Sequence, residues 1–277
     1  MVMTKKVIFI CGASHSGSTL LGLILGSHSA CFYAGEVNKI QFLNIKKEHE
    51  DKSCKICGRS CPIWGNFILD KEFGLYKQLS KLTNKPIIID STKKIAWLKK
   101  QSNKLEIYQS KYLIYILRDG RAVINSQLRK YKDSDPEELI EKWIKHIKST
   151  DDFYYNFSGK KIQIHYEALS SKPEDITKKL CNFLEISYEK SMSQYYLHEH
   201  HPLGGNTGTH YLIIKAQKDN KKIDSPIQLS ERNKYYYLDH PLEIRLDLRW
   251  KKELSEKIIK IFEKKAGKLN KSFRWND

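Results

Sequence analysis

The chain has 277 residues, enough to bury a substantial core as one large α/β domain or two small ones. Its 49 Lys and Arg against 32 Asp and Glu give a formal charge of +17, and its ordinary apolar and aromatic content excludes wholesale disorder. The charge is mostly lysine spread along the whole chain. It therefore favours anionic ligands (nucleic acid, an anionic membrane or phosphorylated small molecules) without naming one, and diffuse lysine is also what a lysine- and isoleucine-rich proteome gives every protein. No stretch reaches the roughly 18 apolar residues that span a bilayer.

The chain opens on "MVMTKKVIFICGAS", lysines before an apolar run, which has the outline of a signal peptide. The apolar part is short and runs directly into a glycine loop, so it reads as the first strand, "KKVIFIC" (5–11), of a cytoplasmic protein. The loop "CGASHSGST" (11–19) has almost the frame G-x-x-x-x-G-K-[ST] of a nucleotide-binding loop: Gly12, Gly17 and Thr19 fall on it, while Ser18 stands where the lysine belongs. The nearest residue that can carry positive charge is His15. Helical spacing follows at once in "STLLGLILGS" (18–27). A strand, a glycine turn and a helix start aim backbone N–H groups and a helix dipole at one anion. Glycines also serve any tight strand-to-helix turn, but Ser14, Ser16, Ser18 and Thr19 around them favour phosphate binding.

Further along, "PIIID" (86–90), "KYLIYIL" (111–117) and "KKIQIHY" (160–166) read as buried strands. Helical patterns occupy "GRAVINSQLRK" (120–130), "DPEELIEKWIKHIKSTDDFYYNF" (135–157), with Asp135 as N-cap and Pro136 in the first turn, and "SKPEDITKKLCNFLEI" (171–186). A final amphipathic helix, "DLRWKKELSEKIIKIFEKKAGKLN" (247–270), puts Leu254, Ile258, Ile259 and Phe262 on one face. Strands alternating with helices predict an α/β fold with a central, mainly parallel sheet covered on both faces and a ligand at the strands' carboxyl ends. Residues 46–66 and 202–241 depart from the pattern and read as a cysteine-bearing insertion and a lid-like segment of one domain spanning 1–277.

The stretch "YILRDGRAVINSQL" (115–128) places Arg118 at the carboxyl edge of the sheet and Ser126 two turns into the next helix, together a second phosphate clamp. Taken alone it reads equally well as an Arg–Asp surface pair before an ordinary helix. The six cysteines, at 11, 31, 54, 57, 61 and 181, make a poor disulfide framework and fit a reducing compartment. "CKICGRSCPIW" has three thiols that could hold a structural zinc, with His49 upstream as a possible fourth ligand. The four-ligand signature is incomplete, and the segment reads as a reduced loop near the acceptor mouth, with no metal assigned.

Two phosphate sites at neighbouring strand ends suit one ligand with two separated phosphates, and here the sequence resembles the sulfotransferases that use 3′-phosphoadenosine 5′-phosphosulfate (PAPS). The resemblance rests on "CGASHSGSTLLGLIL" and "LRDGRAVINSQL", reinforced in family order by "YAGEV", "IIIDSTK", "IHYEAL", "HHPLGGN" and "LDLRWKKELS". It implies a P-loop NTPase-like three-layer fold, PAPS as co-substrate with PAP as product, and no required metal. Gly12, Ser14, His15, Ser16, Gly17, Ser18 and Thr19 would hold the 5′-phosphosulfate, and Arg118 and Ser126 the 3′-phosphate. A sulfuryl donor has no γ-phosphate for a Walker lysine, which accounts for Ser18. His15 stands where the family commonly has Lys or Arg and would neutralise charge on the bridging oxygen, making activity pH-sensitive near neutrality. Glu36 matches the family's catalytic base; a surface glutamate at a helix start is the competing reading. Lys93 would stabilise the transferring oxygens and Ser91 would touch donor or acceptor, against a solvated lysine in a "KK" pair and a structural Asp90.

In "YYLHEHHPLGGN" the tyrosines and histidines either line a pocket or pack under a lid. An arginine common after "GGN" in the family is replaced by Thr209 and His210, with Lys215 as a substitute. The resemblance implies a soluble bacterial enzyme of secondary metabolism acting on a small molecule, without nucleic acid or membrane partners; it says nothing of oligomeric state. With Glu36, "DSDPEE" (133–138) would receive a cationic acceptor, conceivably a guanidinium alkaloid of the saxitoxin type, although it reads first as a helix N-terminus. Two other classes compete. A P-loop kinase would need a lysine after Gly17, and a basic nucleic-acid-binding protein would cluster its cations with aromatics on one face.

Overall fold

The computed structural model describes residues 4–43, 53–217, 227, 229 and 231–275. Five parallel strands form one sheet in the order β2-β3-β1-β4-β5: β1 (Lys6–Cys11), β2 (Cys31–Gly35), β3 (Ile87–Asp90), β4 (Ser110–Leu117) and β5 (Lys160–His165). β1 and β4 are almost wholly buried, as their unbroken β-branched and aromatic runs require of strands covered on both faces. β2 was not foreseen; its "CFYAG" is short and ends in small residues that carry no strand signal.

The helices are α1 (Ser18–Gly26), α2 (Leu75–Thr83), α3 (Ile95–Asn103), α4 (Gly120–Lys130), α5 (Pro136–Tyr155), α6 (Tyr166–Ser171), α7 (Pro173–Leu184), α8 (Thr207–Gln217), α9 (Glu231–Leu238), α10 (Trp250–Glu253) and α11 (Glu256–Asn270). The period-two alternation of the strands decides which face each helix covers. Phe9 and Tyr115 point to one side, where they meet Tyr76 of α2, Tyr154 of α5 and Phe273 beyond α11. Tyr112 points to the other and packs edge-on against Phe183 of α7.

The expected helix over 247–270 is two helices. Ser255 takes an extended conformation and its hydroxyl accepts from the Ile258 N–H at 3.4 Å, starting α11 afresh; Leu254, in the break, is buried. "DSDPEE" is the start of α5: Asp135 caps it, and Glu137 and Glu138 pair with Lys265 and Lys142. Among the described residues no helix is long and apolar enough to cross a membrane.

α1 seats on β2 through glycines. A Cβ at Gly22 would lie 2.3 Å from Cε2 of Tyr33, and one at Gly26 would lie 2.5 Å from the Tyr33 Cβ. Helix propensity alone makes Gly22→Ala stabilising by about 1 kcal/mol. Overpacking against a buried ring costs about 1–3 kcal/mol, so Gly22→Ala is expected to lower Tm; an increase in Tm would show that the ring yields.

Candidate active site

The sheet order reverses at β1, and the loops leaving the carboxyl ends of β1, β2, β3 and β4 converge on one cleft of about 380 Å³. The loop Gly12–Gly17 forms its floor. A Cβ at Gly12 (φ 142°) would lie 2.5 Å from the Ile116 carbonyl oxygen of β4, so no side chain fits beside that strand. Gly17 (φ 90°) starts α1 without a side-chain cap, which leaves the first-turn N–H groups to a ligand. His146 of α5 approaches the Gly12 carbonyl at 3.0 Å through Nε2, and burial lowers its pKa. The carbonyl can only accept, so Nε2 carries the hydrogen and holds the loop from beneath.

Of the residues expected to bind the donor, Ser14, His15, Gly17, Ser18, Thr19, Arg118 and Ser126 line the cleft, while Gly12 and Ser16 lie beneath it. The Thr19 hydroxyl accepts from the Asn206 N–H at 3.0 Å, tying "GGN" to the start of α1. His15 adopts φ 67°, a left-handed conformation that histidine enters more readily than most residues. Its Nδ1 lies 3.0 Å from the Ser126 hydroxyl, so the two predicted phosphate sites meet.

Arg118 is the junction. Its Nη1 donates to the His15 carbonyl at 2.7 Å, its Nη2 to Asp247 Oδ2 at 3.2 Å, and its guanidinium lies 4.3 Å above the Tyr166 ring. Tyr166, from "IHYEAL", also closes against Gly17, where a Cβ would sit 2.4 Å from its ring. The Asp119 N-cap of α4 is locked from the C-terminal helix, since Asn270 donates to Asp119 Oδ1 at 3.1 Å and accepts from the Gly120 N–H at 2.7 Å.

Glu36 follows β2, its N–H donating to the Leu203 carbonyl at 2.5 Å and its carboxylate pairing with Lys39 at 2.6 Å. Burial pushes the Glu36 carboxyl up, but Lys93 and Lys39 outweigh it and hold the pKa below the ordinary value. Lys93 also lines the cleft; burial lowers its pKa against the opposing pull of Glu36 and Asp90, and its ammonium donates to the Ser91 carbonyl. Asp90 is structural, accepting from the Thr92 N–H, the Tyr76 hydroxyl and the Trp97 indole. The Ser91 hydroxyl bonds the Tyr33 hydroxyl at 2.8 Å, within the core.

Several expectations change. Lys215 does not replace the missing arginine, because its ammonium donates to the Leu238 and His240 carbonyls. Thr209 lines the cleft, whereas His210 is fully buried, where desolvation lowers its pKa to about 3. In the tyrosine–histidine stretch Tyr195 lines the cleft, and His200 is buried with Nε2 2.9 Å from the Tyr195 carbonyl. No residue of "DSDPEE" borders the cleft. His49 lies outside the described residues.

The residues missed were Asp247 and Arg249. They form a two-pronged pair, with Arg249 Nε and Nη2 at 2.7 and 2.8 Å from the two carboxylate oxygens, and the Arg249 guanidinium stacks 3.7 Å from the Tyr236 ring. The signal was "DLR" itself, absorbed into too long a helix.

With its two arginines beside it, Asp247 is held well below the usual carboxylate range despite burial that pushes the other way. A lowered folded-state pKa means stability present above the unfolded value of about 3.9 and lost as pH falls through the folded value. Asp247→Asn should therefore destabilise the ligand-free protein by about 1–3 kcal/mol at neutral pH. The gap in Tm to wild type should close as pH drops below about 3.9; a gap independent of pH would refute this role.

Residues 5–201 match the sulfotransferase domain family. A putative protein-tyrosine sulfotransferase of Caenorhabditis briggsae is 26% identical over 232 residues, 80% of this chain and 79% of the relative. Among solved structures, the sulfotransferase domain from the curacin biosynthetic pathway superposes with a TM-score of 0.60 at 20% identity, covering 99% of this chain and 100% of that one. A mouse sulfotransferase, SULT7A1, complexed with PAP gives 0.50 at 14% identity over 98% of this chain and 89% of that one. The structural likenesses establish a shared fold, and the sequence match covers most of the chain: it belongs to the sulfotransferase domain family and is an enzyme of the sulfotransferase class.

Proposed function

We propose that the cleft binds PAPS and that the enzyme moves its sulfuryl group to a hydroxyl or amine of a small-molecule acceptor. One observation carries this reading: an uncapped helix start, the Arg118–Ser126 pair and Glu36 all open into the same cleft. The residues fit the donor. The buried Ser16 Oγ and Arg118 Nε have no hydrogen-bond partner among the described residues, and the first turn of α1 offers its N–H groups to an anion.

In this reading the backbone of Ser14–Thr19 cradles the 5′-phosphate, and Arg118 and Ser126 hold the 3′-phosphate with Arg249 nearby. Glu36, ionised at neutral pH, takes the acceptor's proton as its oxygen or nitrogen bonds to sulfur and the bond from sulfur to the bridging phosphate oxygen breaks, releasing PAP. His15 and Lys93, which line the same cleft, are the groups that would offset negative charge developing on that oxygen and on the sulfuryl group. No metal is needed for these steps. The whole chain acts as one domain, with α8 and α9 as part of the lid, in the cytoplasm.

"DSDPEE" lies elsewhere and gives no support to a cationic acceptor, and Lys39, Lys93, Lys130, Arg245 and Arg249 border the cleft together with Glu36, Glu243 and Asp247. The guanidinium-alkaloid reading keeps only Glu36 of its two supports. A second reading, a tyrosine side chain on a peptide, is favoured by the name of the Caenorhabditis briggsae relative.

Glu36→Gln is expected to lower turnover by about 100-fold or more while PAP still raises its Tm as in wild type. A fully active variant would remove Glu36 as the base. Incubation with PAPS, small phenols, alcohols and amines in one arm and tyrosine peptides in the other, read by mass spectrometry, separates the two acceptor classes.

A further inference from the structure

We propose that Cys54, Cys57, Cys61 and His201 form a structural zinc site that fastens the loop from Ser53 to Phe67 onto the segment walling the acceptor side of the cleft. Their ligand atoms all lie within 4.8 Å of one another, although His201 is 140 residues from Cys61 in sequence. His201 Nδ1 stands 3.3 Å from Cys57 Sγ and 3.5 Å from Cys61 Sγ. Zinc–sulfur and zinc–nitrogen bonds of about 2.3 and 2.0 Å, placed on a tetrahedron, put nitrogen and sulfur about 3.5 Å apart. Ligand atoms this close surround a single ion and leave no room for an iron–sulfur cluster.

The surroundings are those of a bound thiolate–imidazole set. Cys54 Sγ accepts from the Ile56 and Cys57 N–H groups, both at 3.4 Å, which stabilises negative charge on that sulfur. Glu199 Oε1 lies 3.0 Å from His201 Nε2, so the imidazole presents Nδ1 as a lone-pair donor to the sulfurs. Cys54 and Cys61 are 0% and 3% exposed and His201 8%, so three thiols and an imidazole crowd a buried point that holds no disulfide. Four protein ligands leave no open position, and none of the four borders the cleft, which makes the site structural and not catalytic.

What the ion secures is legible in the neighbouring hydrogen bonds. The Lys55 N–H donates to the Pro202 carbonyl at 2.9 Å, and the Trp64 indole to the His201 carbonyl at 2.6 Å. Two residues on, Leu203 donates to the Ala34 carbonyl and accepts from the Glu36 N–H. The metal therefore supports the backbone that positions Glu36 and the wall at Gly205 and Asn206.

The test is elemental analysis of the intact protein, purified without chelator, together with replacement of its metal by Co²⁺. About one zinc per chain is expected, and the cobalt form should show thiolate-to-metal charge transfer with tetrahedral d–d bands. Glu199 is exposed, so Glu199→Gln should fold normally yet lose about 10-fold in zinc affinity measured against a chromophoric chelator. His201→Cys should keep the metal and His201→Ala lose it. The proposal is overturned if wild type neither carries zinc nor takes up one equivalent when it is supplied, if the metal found is iron, or if cobalt binds without thiolate bands.

Discussion

The cleft is organised around the buried guanidinium of Arg118. A planar cation at the end of β4 reaches the loop after β1 through the His15 carbonyl, the start of α6 through the Tyr166 ring, and the segment before α10 through Asp247. Removing such a group from water is costly unless its donors are met, and each contact here also sets a position. Held to the His15 carbonyl at 2.7 Å, Arg118 helps keep His15 in its left-handed conformation, with the imidazole turned toward Ser126. Asp247 supplies an anion beside Arg118 and Arg249 where a phosphate of the donor is proposed to lie, so donor binding would exchange one counter-charge for another.

His15, proposed to stand in for a missing cation, is also fixed in place by its neighbours. Its backbone is bound by Arg118 and its ring by Ser126, so both ends are fixed by the element proposed to hold the other phosphate of the donor. A lysine there would bring a long, mobile ammonium; the imidazole brings a short ring oriented by Ser126. Beneath it, His146 holds the Gly12 carbonyl, a support supplied by the middle of a helix that otherwise reads as ordinary amphipathic packing.

Much of the fold was legible because local and global signals agree. β1 and β3 carry unbroken apolar runs rich in β-branched residues and β4 adds aromatics, the glycine loop lies between a strand and a helix, and Asp135–Pro136 marks the start of α5; β5, expected to be buried, is an edge strand in which only Ile164 is buried. Where tertiary contact decides, the sequence was silent or misleading. β2 is recognisable only by pairing with β3, and the break at Ser255 was hidden in a continuous amphipathic pattern. Lys215 looked like a free cation but bonds two carbonyls, while Arg249, which does reach the cleft, lay in a stretch read as helix. For the cysteine cluster the sequence offered His49, which lies outside the described residues, and no local spacing points from Cys61 to His201.

Ser18, Arg118 and Ser126 together make one claim, that this loop serves a donor with two separated phosphates and no triphosphate. The most direct test is the change in Tm on adding PAP without magnesium and, separately, ATP with magnesium. A clear rise with PAP and none with ATP–Mg²⁺ is expected. Stabilisation by ATP–Mg²⁺ with no response to PAP would contradict it.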